Sequence, residues 1–522
     1  MLGKPTSRRR EIATLAAGIA AFAVVAAALA LIFGYSDWRD DEEAPGAIIT
    51  EPATTAVASA TATEQSEIAA PAFPTPSDAQ PLTHPALPEL VIATTDGSDF
   101  THLHKVDPIS LEPLNGDLPL TVTEPREAIA EHTYSYDGRY LALAIRNEAG
   151  ATAKVQLVDV AAWSVTEIPV PESSDAPLEI QNRVLRFVPG SDELLWASAK
   201  RPQSFRVVRY DIGEAQATTV ELPVGCVPNE LYPLADDQKV AVVCSMYSPA
   251  LYATDVMHVV TVDAASGIVT SDIRLEGVES GSLEITDVVN DNYPVHLVSP
   301  GLALDRQRNL LYVVSVRGEQ LTVVDLSAGM IHAQVSWGPS ASWLDRIKGW
   351  FAPQSAQAVA RAISYGYAAL SPDGERLYIA TASEQLTEDR RTTEEINASA
   401  FVIIDTTTLE VIQRLDLGMV RSVAAAPDGE RVIVYTAPNI FPVGDYTTTE
   451  GRALYLVNGD TGDVEQELEL TGHPARPMMS NGDHMYLELS QSDGREWLVI
   501  DANALSVVGS NADPDATRLL VP

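Results

Sequence analysis

An aspartate at the end of a short run of β-forming residues is the most regular polar feature of this 522-residue sequence. It closes LHKVD at Asp107, VQLVD at Asp159, VVRYD at Asp211 and VVTVD at Asp263, sits in TVVDL at Asp325, VIIDT at Asp405 and LVIDA at Asp501, and is replaced by Asn458 in YLVNG. A carboxylate so placed can accept hydrogen bonds from backbone N–H groups of the turn that follows. A ring of such carboxylates could instead hold metal ions; the turn role is the expectation. His102 and His104, two apart on one strand, point the same way and could offer two imidazoles to one cation. Asp287, Asn290, Asp291 and Asn292, and separately Asn458, Asp460 and Asp463, are oxygen-rich stretches of the kind that take Ca²⁺. Neither has the helix-flanked spacing of a dedicated calcium loop, and polar turns explain both. The sequence has no GxSxG elbow for a Ser nucleophile and no HExxH zinc helix. No residue therefore takes a catalytic role, and calcium is the one cofactor left open.

Residues suited to recognition lie in insertions. Trp343, Leu344, Ile347, Trp350 and Phe351 fall at i, i+1, i+4, i+7 and i+8, one face of a helix that Pro353 ends. They belong to the stretch Ser340–Tyr365, whose second helical run is Ala356–Ile363. Such a face serves as packing surface, partner or ligand lid, or interfacial membrane contact. The acidic stretch Glu384–Asn397 and the loop Phe441–Gly451 are two further interruptions. Cys226 and Cys244 are the only cysteines, with no CxxC or Cys/His zinc spacing. They fall on neighbouring strands of one hairpin, where simple register sets Cys244 opposite about residue 229. A disulfide there needs a bulge or loop at Cys226; two buried thiols are the alternative.

A repeat must position these residues. The strand-end Asp recurs at intervals of 52 residues three times, then at 62, 80, 53 and 43. Upstream of most copies is a turn followed by a β-run: SYDGRYLALA at Ser135, VPGSDELLWA at Val188, LADDQKVAVV at Leu234, LDRQRNLLYVV at Leu304, SPDGERLYIA at Ser371, APDGERVIVY at Ala426 and SNGDHMYLEL at Ser480. Asp137-Gly138, Asp373-Gly374 and Asp428-Gly429 read as tight hairpin turns that need positive φ. A last strand follows each Asp, as in Val411–Asp416 and Val464–Leu470. Four antiparallel strands per unit, eight times over, predict an all-β, eight-bladed β-propeller, with seven blades as the fallback count. The first unit begins at ELVIATT, already a second strand, and a spare β-run, Thr517–Val521, ends the chain. Setting that run as the inner strand of blade one closes the ring and removes two exposed edges. Connections from second to third strand share a face with those between blades, so all the insertions are expected on one face, the better surface for binding.

SPDGERLYIATASEQ, AFVIIDTTTLEVIQRLDLG and APDGERVIVYTA resemble the YVTN-type surface-layer β-propeller repeat, within the WD-like and lactonase-like propeller group. The resemblance covers residues 88–522 at the level of the repeat. It implies the fold and an extracytoplasmic setting, in a group that spans adhesins, binding proteins and a few enzymes; it implies no reaction.

The sequence also carries an address. Ile12–Phe33 is a run of 22 uncharged, mostly apolar residues, about 33 Å as a helix at about 1.5 Å per residue, enough to span a bilayer. Lys4, Arg8, Arg9 and Arg10 precede it and Asp37, Asp40, Asp41, Glu42 and Glu43 follow. The asymmetry places the N-terminus in the cytoplasm and the rest outside, a cleaved secretory signal being the alternative. The expected organisation is residues 1–11 in the cytoplasm, 12–34 as an anchor in the lipid bilayer, 35–88 as a disordered Ala/Thr/Pro-rich stalk, and 89–522 as the propeller with a helical insertion at 340–365. A net charge of −38 argues against nucleic acid as partner. The function expected is a non-catalytic binding or scaffold module for a protein or cell-envelope ligand. The alternative is a propeller enzyme of lactonase or dehydrogenase-like type, with Asp, Glu or His converging at the channel mouth; a structural surface-layer or adhesion component is a third.

Overall fold

The computed structural model describes residues 90–521 apart from connecting segments, of which the longest are 169–184, 247–254, 285–294, 337–361 and 438–452. The chain divides into two units, residues 1–70 and 71–522, and every described residue belongs to the second. The expected anchor and stalk, the aromatic residues Trp343, Leu344, Ile347, Trp350 and Phe351, and Asp287–Asn292 lie outside the described residues. Among the described residues no helix is long and apolar enough to cross a membrane.

The described chain is an all-β, eight-bladed propeller. Tyr140–Arg146 and Leu310–Ser315 are buried almost throughout, because the middle strands of a blade are covered on both faces by the neighbouring blades. The outer strand Val464–Glu469, VEQELE, is mostly exposed. Packing runs from blade to blade around a closed circle. Blade one packs on blade two through Val91, Leu103, Leu141 and Leu143, and blades two, three and four share a core that includes Ala142, Trp196 and Val242. Val243 meets Leu311 between blades four and five, Leu310 meets Leu377 between five and six, Ile403 meets Val432 between six and seven, and Leu454 meets Leu487 between seven and eight. Leu90 and Ile92 pack with Tyr486, Trp497 and Leu519, which joins the last blade to the first.

Ring closure follows the expected plan. Ala516–Leu520 pairs antiparallel with Leu90–Thr95, Val91 opposite Leu520 and Ile92 opposite Leu519, and supplies the inner strand of blade one. The two ends of the propeller thus share one four-stranded sheet.

The strand-end Asp does the same work in every blade. One side-chain oxygen accepts a backbone N–H two or three residues on: Ser110 to Asp107 at 2.8 Å, Ala162 to Asp159 at 2.7 Å, Glu214 to Asp211 at 2.9 Å, Ser266 to Asp263 at 2.8 Å, Ala328 to Asp325 at 2.8 Å, Thr408 to Asp405 at 2.8 Å and Ala504 to Asp501 at 2.8 Å. Asn458 accepts from Thr461 at 2.9 Å in the same way. Hydrogen bonds from the backbone of Ser110 and then Ile109 hold the Asp107 carboxyl below its usual range. Four residues after each of these positions the backbone turns left-handed, at Leu111, Trp163, Ala215, Gly267, Gly329, Leu409, Gly462 and Leu505. Five of the eight are not glycine, so the turn is imposed by its hydrogen bonds and not by local preference.

Two expectations are corrected. In the Asp-Gly turns only Gly138, Gly374 and Gly429 take positive φ. The Gly138 N–H donates to Ser135 and the Ser135 N–H to Tyr140, so the turn is wider than a two-residue hairpin. The insertions are also shorter than the sequence suggested. The second helical run was expected to extend to Ile363, yet Ala362–Leu370 is a strand, and within the acidic stretch the strands Arg376–Leu386 and Thr393–Asp405 leave only a short connection. Backbone pairing with neighbouring strands overrides the local pattern there.

Candidate functional site

The strands beneath the insertions form one continuous sheet. Ile268–Glu284, the outer strand of blade four, has 17 residues where the other outer strands have two to seven, and its end pairs with Val295–Ser299, Gly281 opposite Val298. Val295–Ser299 runs parallel to the start of blade six's inner strand, His296 opposite Ala362 and Ser299 opposite Tyr365. The resulting nine-stranded sheet passes from blade four to blade six, while blade five keeps a separate sheet of four strands. Chain direction puts segments 285–294, 337–361 and 387–392 at the same end of these strands. Three of the stretches that the sequence singles out therefore leave from one face, as the blade topology requires.

The inner strands of blades five and six touch backbone to backbone. A Cβ on Gly301 would lie 2.9 Å from the Tyr367 backbone, and one on Gly366 would collide with the Gly301 nitrogen. Only glycine permits that approach. Tyr365 and Tyr367, on either side of Gly366, have ring centroids 6.2 Å apart with planes inclined by 22°. Arg421, on the inner strand of blade seven, donates from Nε to Ala437 O at 3.0 Å. Burial pushes its guanidinium down to about 10, while the charges of Tyr367, Tyr435 and Tyr365 act in the opposite direction.

On the opposite arc the inner strands are joined by charge. Arg186 of blade three reaches Glu131 of blade two and Glu230 of blade four, both at 3.2 Å. Both carboxylate-bearing residues follow a bulge in their strand, after Ala130 in one and Asn229 in the other. Arg518 of the closing strand donates to Ile129 O and Ala130 O, at 3.0 and 3.1 Å. Cys226 and Cys244 form a disulfide between the first and second strands of blade four, with Cα atoms 5.2 Å apart. The bulge before Glu230 sets Cys244 opposite Pro228 rather than residue 229.

The sequence-derived metal candidates do not converge on a common point. His102 Nδ1 lies 3.0 Å from Thr121 Oγ1 on one side of its strand, and His104 Nε2 lies 3.0 Å from Thr94 Oγ1 on the other. Around Asn458, the Asp460 carboxylate reaches Arg376 at 3.0 Å and the Asp463 carboxylate accepts from Thr461 Oγ1 at 2.8 Å. Among the described residues no group of three or more His, Cys, Asp or Glu is arranged to hold a metal ion. Sequence reasoning missed the Glu131–Arg186–Glu230 belt, although a signal existed. Both glutamates stand four residues before the residue that opens their blade's first turn, Ser135 and Leu234. Aligning the inner strands on that turn would have set them in one column.

No known protein family matches the sequence, and no curated protein matches it. Among solved structures, the chain is similar to the dihydro-heme d1 dehydrogenase NirN in complex with DHE, at 13% identity and TM-score 0.46, over 86% of this chain and 78% of that one. It is also similar to Sqt1 of Saccharomyces cerevisiae, at 12% identity and TM-score 0.46, over 82% and 97%, and to the Dos1 propeller, at 11% identity and TM-score 0.45, over 75% and 89%. The architecture rests on the chain's own strand order and closed circle of cores, by which it is an eight-bladed β-propeller.

Proposed function

We propose that this chain is a membrane-anchored, extracytoplasmic β-propeller of the YVTN-like kind that acts as a non-catalytic binding or scaffold module for a protein or cell-envelope ligand. The observation that carries this reading is the nine-stranded sheet joining blades four and six, from which three insertions leave on one face. A rigid sheet that presents several loops together suits recognition. The Cys226–Cys244 disulfide accords with an oxidising compartment outside the cytoplasm. The apolar run Ile12–Phe33 with its charge asymmetry supplies the anchor, and the −38 charge disfavours nucleic acid. At the axis, Glu131 and Glu230 are both engaged by Arg186, an arrangement suited to holding blades together.

The test is crosslinking of the full chain in its own membranes, followed by purification and mass spectrometry. The control is a deletion of residues 340–360, which leaves the strand from Ala362 intact. A stoichiometric partner lost on deletion is the expected result. Capture of no partner by either form overturns the protein-binding reading, and turnover in a lactone screen on the purified chain would replace it with the enzyme alternative.

A further inference from the structure

The strand that closes the ring is fastened to blade two as well as paired within blade one. Three side chains make the connection. Arg518 reaches back to the carbonyls of Ile129 and Ala130, the Tyr134 hydroxyl donates to Leu520 O at 3.3 Å, and His132 meets the backbone of Val521. A single ring nitrogen of His132, Nε2, lies 3.1 Å from Val521 N and 3.0 Å from Val521 O. Only one of those contacts is a hydrogen bond at a time. With the ring neutral and its proton on Nδ1, Nε2 accepts the Val521 N–H. Adding a proton to Nε2 turns it into a donor to Val521 O, which offsets part of the cost but ends the bond from the Val521 N–H and leaves that N–H without its acceptor. It also creates a cation in a buried place that already faces two guanidinium groups, Arg518 on the closing strand and Arg186 on blade three. The one carboxylate on its own strand beside it, Glu131, is engaged by Arg186.

We infer that His132 is an acid-sensitive latch: protonating its ring releases Ala516–Leu520 from blade two and opens blade one along its inner edge. This property belongs to ring closure and stands whether or not the partner-binding reading holds. Burial, with Arg518 next, pushes the His132 ring from 6.5 down to about 4. A folded-state value below the free one means that the open form binds the proton more tightly. Latch strength is therefore full above pH 6.5 and declines as the pH falls towards 4.

Amide hydrogen exchange on the full chain, corrected for the intrinsic rate at each pH, reads the opening directly. Between pH 7 and pH 5 the opening equilibrium of residues 516–520 is expected to rise about twentyfold, while the blade-five strand Gly301–Asp305 stays unchanged. His132→Gln keeps an acceptor for the Val521 N–H but does not titrate, so its exchange at 516–520 should be the same at both pH values. Unchanged protection in the natural chain, or an equal rise in His132→Gln, overturns the latch. Should that variant not fold, the imidazole resonance of the natural chain decides. A midpoint near 4 accompanied by opening supports the latch, and a midpoint near 6.5 with the strand still protected overturns it.

Discussion

The two arcs of the ring solve the problem of joining inner strands in different ways. From the closing strand through blade four the links are side chains: Arg518 on blade-two carbonyls, then Glu131, Arg186 and Glu230 in alternation. Between blades five and six the link is main chain, with Gly301 against Gly366 and Val295–Ser299 hydrogen-bonded in parallel to the start of blade six's inner strand. Side-chain links are directional and depend on charge, so they respond to salt and protons. Backbone pairing is indifferent to both and has no tolerance for added volume. Where the insertions leave, blades five and six are thus joined on their inner strands by main chain, a rigid footing for loops.

Substitutions can break that contrast. Leu520 is fully buried in the core between blades one and two, and Leu520→Ala should cost about 2–5 kcal/mol in a denaturant titration, with the closing strand the first to lose exchange protection. Gly366→Ala should cost about 1–3 kcal/mol, because a new methyl group forces two backbones apart. Its loss of protection should centre on Gly301–Asp305 and Ala362–Leu370 and leave blade two intact; uniform loss would argue against separate arcs. Arg186→Met leaves two glutamates facing each other across blade three. Because the Arg186 side chain is 31% exposed, water screens part of the effect, and the cost should be about 1–2 kcal/mol. Adding Glu131→Gln and Glu230→Gln should recover most of that loss. High salt should narrow the gap between natural chain and Arg186→Met, yet leave the Gly366→Ala deficit unchanged. The smallest effect is expected in a region common to both arcs. Ala215 is exposed and left-handed at φ 52°. Ala215→Gly relieves about 1–2 kcal/mol of steric cost and gives back about 0.5–1 kcal/mol in unfolded-chain entropy, for a small net rise in melting temperature.

Much of the propeller could be read before any coordinates. The Asp turns and the closing strand were legible because each is either local or fixed by the count of strands. An Asp two or three residues before its donors leaves a mark in the sequence, and a first unit lacking one strand predicts a spare strand elsewhere. The bridge from blade four to blade six was not legible. It joins Ile268–Glu284, Val295–Ser299 and Ala362–Leu370 across a whole blade, and nothing in VHLVS or AISYGY names its partner. The helical pattern continuing to Ile363 pointed the wrong way, since local periodicity has no knowledge of a distant parallel strand. Arg186 was illegible for a similar reason, as its two partners lie 55 and 44 residues away. The bulges that precede both glutamates can be recognised only once the register is known.

The placement of the last strand in the first blade has a consequence for biosynthesis. A ribosome delivers Leu90–Thr95 well before the strand that completes its sheet, which is made more than 400 residues later. Throughout synthesis blade one must wait as a half-sheet with a bare edge, the kind of surface that quality-control machinery engages. A product truncated before Ala516 would keep that edge for good. The seam is thus a checkpoint on synthesis, because blade one can be sealed only by a chain that has been translated past Leu520.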